Sequence, residues 1–200
     1  MPSHTFMHTG RFEAAAAVNA DATYVAPRRG IDSDHVYPLH NREFLVWALR
    51  IEGRSAEALA EARKLAAMAQ PCAVTACTVP GCHAPESADP NGGRHYQRFS
   101  AAFVLTVALL GDAPELAELE DDKPPPQLEY HLAMWHFAVG MVHARLAQAR
   151  LGDLEGTATH VQKATESLRA LEAAAASPGL SAAEEDSYRH PVRSPLFLSD

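Results

Sequence analysis

Eleven histidines in 200 residues give this chain an ample supply of imidazole, the side chain that exchanges protons near neutral pH and binds transition metals. His4 and His8 are four apart, so on a helix they share a face and could fill two positions of a zinc site. No glutamate accompanies them in the His-Glu-x-x-His arrangement that would supply a general base. The plainer reading is one histidine packed between helices and one exposed. A second set is Cys72-x4-Cys77-x4-Cys82-His83, four soft ligands within twelve residues. Structural zinc sites space their cysteine pairs more closely and separate the pairs by a longer stretch. Cys77-x4-Cys82-His83 is also a lengthened form of the haem-attachment motif, which has two intervening residues. The candidate metal ligands are therefore His4, His8, Cys77, Cys82 and His83, with zinc the metal they would take. The expectation for a cofactor is otherwise none.

Other chemistries lack their residues. No glycine-rich phosphate loop follows a strand pattern, and no Gly-x-Ser-x-Gly elbow occurs. The acidic pairs Asp121-Asp122 and Glu184-Glu185 stand in or beside breaker-rich segments, where they read as solvated charge. A formal charge of −8 argues against a nucleic-acid surface, which needs clustered cations to neutralise phosphates. The longest apolar run, Ala101 to Leu110, is about half of a bilayer span, so no membrane partner is expected. Three cysteines form no paired disulfide framework, and a reducing, cytoplasmic setting is the default.

The elements that must position these residues are helices. Phe44, Leu45, Ala48 and Leu49 run into Gly53-Arg54-Ser55, after which Ala58, Leu59, Ala62, Leu65 and Ala69 continue. Spacings of three and four place each set on one stripe of a helix. Gly53 supplies a positive φ at the end of the first, and Ser55 is the expected cap of the second. Gly10, Gly111 and Gly152 join further pairs, at intervals of 43, 58 and 41 residues. Asp112 and Glu115 have capping-box spacing, and Asp153 is the next N-cap. Pro71 is expected to end the Gly53 unit, with a loop insertion over residues 71–94. The longest helical pattern runs from Leu128 to about Leu151, and its partner from Leu154 to about Ala176. This predicts an all-α chain whose helix pairs stack as an α-solenoid, each burying its stripe against its neighbours. Residues 1–176 form the helical-repeat domain, and residues 177–200 are expected to be a poorly ordered tail.

Gly10, Ala15, Asn19, Ala22 and Pro27, and most of the same register at Gly53, Ala58, Ala62 and Leu65, resemble the second helix of a tetratricopeptide repeat. Pro2-Ser3-His4, His40-Asn41 and Met134-Trp135-His136, in that order, further resemble a group of bacterial tetratricopeptide-repeat proteins of unassigned function. The resemblance implies a right-handed superhelix of antiparallel helix pairs whose concave groove receives a peptide or partner protein. His40, Asn41, Trp135 and His136 would open the first helices of their pairs and face that groove, whereas the plainer reading has Trp135 plugging the core between repeats and the histidines bonding to loop carbonyls. Members of the group carry further helices upstream of the Pro-Ser-His segment, so this chain resembles a fragment, and any signal peptide would then lie before Met1. The unit spacing exceeds the repeat period of about 34 residues, and Arg42 stands where the repeat places a large aromatic. Two functions follow as expectations. One is a non-enzymatic scaffold that binds a peptide or protein partner through the groove, or itself through uncapped repeat ends. The other is a metal-dependent enzyme or metal-binding protein in which His4, His8, His40 and His136 converge.

Overall fold

The computed structural model describes residues 2–25, 36–74, 93–126 and 128–176, and among these there are nine α-helices and no strand. They are α1 (Pro2–His8), α2 (Phe12–Val25), α3 (Val36–Ile51), α4 (Ser55–Val74), α5 (Gly93–Ser100), α6 (Ala102–Leu110), α7 (Ala113–Asp121), α8 (Glu129–Ala149) and α9 (Leu154–Ala175). The chain is all-α as expected. Residues 26–35, most of the cysteine segment and residues 177–200 lie outside the described residues.

Two of the four glycine turns work by backbone conformation. Gly10 and Gly53 have φ of 71° and 73°, the left-handed region that costs a side-chain-bearing residue energy. At each, the following N–H reaches back to close the helix: Arg11 N–H donates to Phe6 O at 2.8 Å, and Arg54 N–H to Leu49 O at 3.0 Å. This pattern satisfies carbonyls that would otherwise end the helix unpaired. Gly111 works differently, because its φ of −77° is ordinary. A Cβ there would lie 2.6 Å from Val107 Cγ1, so close packing selects the glycine.

The caps agree in part with their sequence signals. Glu115 accepts from the Asp112 N–H at 3.0 Å, and Asp153 accepts from Gly156 N–H at 3.1 Å. Ser55 is not the cap expected of it. It is the first residue of α4, and the residue before it, Arg54, instead forks onto Glu57 at 2.8 and 2.6 Å. Nor does Pro71 end the helix, since α4 continues to Val74. A proline deletes one N–H, and the turn that follows it can still form. A single periodic pattern around Phe99 resolves into two helices. Ser100 Oγ donates to Gln97 O at 2.9 Å, and α6 starts afresh after Ala101.

Successive helices pack on one another: α1 on α2, α2 on α3, α3 on α4, α4 on α5 and α6, α6 on α8, and α8 on α9. The core accordingly falls into three clusters. Ala15, Leu45, Leu49 and Ala58 form one, Leu39, Leu65, Phe99 and Leu128 the second, and Leu59, Phe103, Val107, Leu119, Trp135 and Val142 belong to the largest. Arg42, 6% exposed, is a buried cation with its own set of partners. Its guanidinium pairs with Glu61 and lies 5.4 Å over the Tyr24 ring, whose hydroxyl donates to Glu61 at 2.7 Å. Burial pushes the Glu61 carboxyl up, but its bonds to Lys64 and Tyr24 and the charge of Arg42 outweigh that and hold it below the usual value.

Candidate functional site

The α3 and α8 candidates have separate neighbourhoods. His40, on α3, faces α1: its Nε2 lies 3.4 Å from His4 Nε2, and both rings pack on Phe44, with His4 stacked at 4.5 Å. Asn41 beside it is half-buried. His8 is exposed at the end of α1. The nitrogen separation of the His4–His40 pair suits two ligands of one tetrahedral zinc, whose Zn–N bonds are about 2.0–2.1 Å. Among the described residues, however, no group of three or more His, Cys, Asp or Glu is placed to hold a metal ion. Burial, the N-terminal charge and His8 all lower the His4 pKa, so its ring is neutral and hydrogen-bonds to His40 as donor or acceptor. Cys77, Cys82 and His83 lie outside the described residues.

Trp135 and His136 sit together on α8 where it meets α7 and α9. Trp135 is 8% exposed and donates from Nε1 to Leu119 O at 2.7 Å, so its ring anchors α7 to α8 from within the core. Lys123 lies 5.1 Å over that ring. The His136 ring stands edge-on to the indole at 5.0 Å, and its Nδ1 is buried without a hydrogen-bond partner. Burial first, then the charge of Lys123, lowers the His136 pKa and keeps the imidazole neutral at pH 7. An unpaired buried ring nitrogen costs roughly 1–3 kcal/mol, a penalty that a ligand group bonding to it would remove. The cleft beside it has a volume of about 250 Å³ and is walled by Trp135, His136, Val139, Lys123, Lys163 and Ser167.

A hydrogen-bonded chain closes the rear of this cleft. His143, 1% exposed, lies 3.2 Å through Nε2 from Glu120 and 2.9 Å through Nδ1 from His160 Nδ1. Lys163 also reaches Glu120, at 2.8 Å. That bond, with help from His143, holds the Glu120 carboxyl below the usual range despite burial. Burial lowers the His143 pKa against the pull of Glu120. A neutral His143 therefore donates from Nε2 to Glu120 and accepts at Nδ1 from His160. Both of its nitrogens are used, and it is not free to act as a general base. Gly140 permits the close approach of α9, since a Cβ there would stand 3.2 Å from Ser167 Cβ.

The sequence signalled none of these partners directly, yet a cue was present. His143 lies nine residues before Gly152 and His160 eight after it, so a hairpin at that glycine brings them level. One serine–histidine pair also invites a catalytic reading, Ser100 Oγ with His131 Nδ1 at 3.1 Å. The hydroxyl already donates to Gln97 O, so His131 must be the donor to Ser100. The serine is not activated. A second hollow, about 370 Å³, lies between α2, α3 and α4 over Ala16, Ala20, Leu45 and Leu49, with Glu13 and Glu57 at its edge.

Fold and site together define an all-α chain whose helices pack on one another, with a polar cleft at the junction of α7, α8 and α9. No protein-family model matches the chain, and neither a curated protein nor a solved structure matches it. No helix among the described residues is long and apolar enough to cross a membrane.

Proposed function

We propose that this chain is a non-catalytic helical-repeat scaffold of the tetratricopeptide kind, which binds an extended segment of a partner protein through the cleft at α7, α8 and α9. The stacked hairpins and the stepwise core clusters support the repeat reading. The binding reading is carried by one observation, the buried Nδ1 of His136 that lacks a partner beside an open cleft. A cleft of about 250 Å³ falls below the roughly 300–1,000 Å³ of small-molecule sites and suits one or two peptide side chains. The occupant is a side chain with an apolar stem against Trp135 and Val139 and a polar end that bonds to His136. The net charge of −8 draws such a segment in by long-range attraction when it is flanked by basic residues.

Selection of a random peptide display library on the immobilised protein tests this reading. Peptides enriched on the wild type should bind His136→Ala at least about tenfold more weakly, a loss of about 1.4 kcal/mol. The melting temperature should stay level, because the substitution removes an unsatisfied group. Failure to enrich any peptide, or equal binding by wild type and His136→Ala, refutes the proposal.

A further inference from the structure

α9 supplies no residue to the three core clusters, and its one extensive contact is with α8. It is tied to the body through polar groups: His160 meets His143, Lys163 meets Glu120, and Ser167 is buried against Gly140. The first tie is the sensitive one, because two ring nitrogens 2.9 Å apart hold a single proton between them. A second proton would set N–H against N–H.

The neighbours of His143 decide where its protons go. Its Nε2 faces Glu120 at 3.2 Å, and an ionised carboxylate only accepts, so Nε2 carries a proton. Nδ1 of the neutral ring then accepts, and the shared proton belongs to His160. A first added proton settles on His160 Nε2 and leaves the bond in place. The next finds only His143 Nδ1 open, and there it abolishes the contact. The charged and titratable groups around His143 are Glu120 on α7, Lys123 just after it, His160, Lys163 and Glu166 on α9, and His136 on its own helix. α6, which packs on α8 from another side, carries none.

We infer that the His143–His160 contact is an acid-sensitive latch holding α9 against α8, which opens when His143 takes a proton at Nδ1. That proton strengthens the bond from His143 to Glu120, but this bond joins α8 to α7 and does nothing to retain α9. Burial lowers the His143 pKa from 6.5 while the helix is docked, and undocking returns the ring to water, so the undocked form binds the proton more tightly. The latch is therefore closed above pH 6.5 and yields as pH falls below it. α9 carries the Lys163, Glu166 and Ser167 wall of the cleft at His136, and its release opens that cleft. Discharge of a bound peptide in acid is a consequence that rests on the binding reading above, whereas the latch stands without it.

Hydrogen exchange of the α9 amides on either side of the histidine range reads the latch, expressed as protection factors so that the intrinsic pH dependence of exchange is divided out. Between about pH 7.5 and about pH 5, wild-type α9 should lose protection at least about fivefold, within the roughly tenfold per pH unit that one proton allows. His160→Asn is the decisive variant. Its amide can donate N–H to a neutral His143 or turn its oxygen to a protonated one, so α9 should keep most of its protection in acid. Nitrogen NMR of the His143 ring gives a second readout: its proton should sit on Nε2 at neutral pH, and uptake at Nδ1 should coincide with the loss of α9 protection. Equal protection of wild-type α9 at both pH values, the same acid loss in His160→Asn, or a His143 proton found on Nδ1 at neutral pH each overturns the inference.

Discussion

His131 lies with Nδ1 against Ser100 Oγ and its backbone N–H on the Gln97 side chain at 3.3 Å. Burial lowers its pKa from 6.5 to about 4, against a weaker opposing pull from Asp122. The unfolded chain therefore takes up this proton first as pH falls. The stabilisation is fully present above pH 6.5 and is lost as pH falls toward 4. Its size is about 3 kcal/mol. His4, His136 and His143 are lowered by burial as well and act in the same direction. The carboxylates held down by cation partners, Glu61 and Glu120, add their loss only below 4.5. Urea titrations of the wild type should thus show stability falling between pH 6.5 and pH 4.5, and His131→Gln, which can keep the bond to Ser100, should flatten much of that slope. An unchanged slope would place the effect on other groups. Histidine was legible in the sequence as an abundant type, and of the four expected to converge His4 and His40 do meet while His136 lies apart on α8, but the pairing of His143 with His160 was not foreseen. His4 meets His40 and His143 meets His160 across helix contacts, and spacing along one helix says nothing about those.

At the scale of helices, Arg145 shows how one side chain fixes an element end. Its guanidinium, on α8, donates to Ala108 O, to Val107 O at 3.2 Å and to Gly111 O at 2.7 Å. These carbonyls lie at the C-terminal end of α6, where Val107 O also accepts from the Gly111 N–H at 2.9 Å, and they carry the negative end of the helix dipole. A planar fork with several N–H groups can serve three acceptors at once, whereas an ammonium cannot keep that geometry. Arg145→Met should therefore cost about 2–3 kcal/mol and Arg145→Lys about half of that, read as lower urea midpoints with unchanged slopes. If Arg145→Met costs no more than an exposed substitution elsewhere, the cap is ornamental. The elements themselves were largely legible, because turn glycines and caps are local signals. Gly10, Gly53 and Asp153 do what their positions in the chain announce. Gly111 occupies the right place for a different reason, contact with Val107, and the break at Ser100 depends on a hydroxyl bond that leaves an apolar pattern unaltered. Arg42 is the reverse case, a buried charge explained only when Tyr24 and Glu61 are seen around it.

Over the whole molecule, stability should be graded along the stack. The three clusters use α2 to α8, and the largest draws on α3, α4, α6, α7 and α8. α9 supplies no residue to any of them, and its one extensive contact is with α8. α1 contributes only the partly buried Phe6 and Met7. In a stacked array an end helix has one neighbour where an inner helix has two, so it opens at lower free energy than the interior. Native-state hydrogen exchange should find the slowest amides in α6 and α8, with α9 exchanging at least about tenfold faster, a gap of about 1.4 kcal/mol. If α9 exchanges as slowly as α8, the helices open as one cooperative unit and the core clusters do not control local stability.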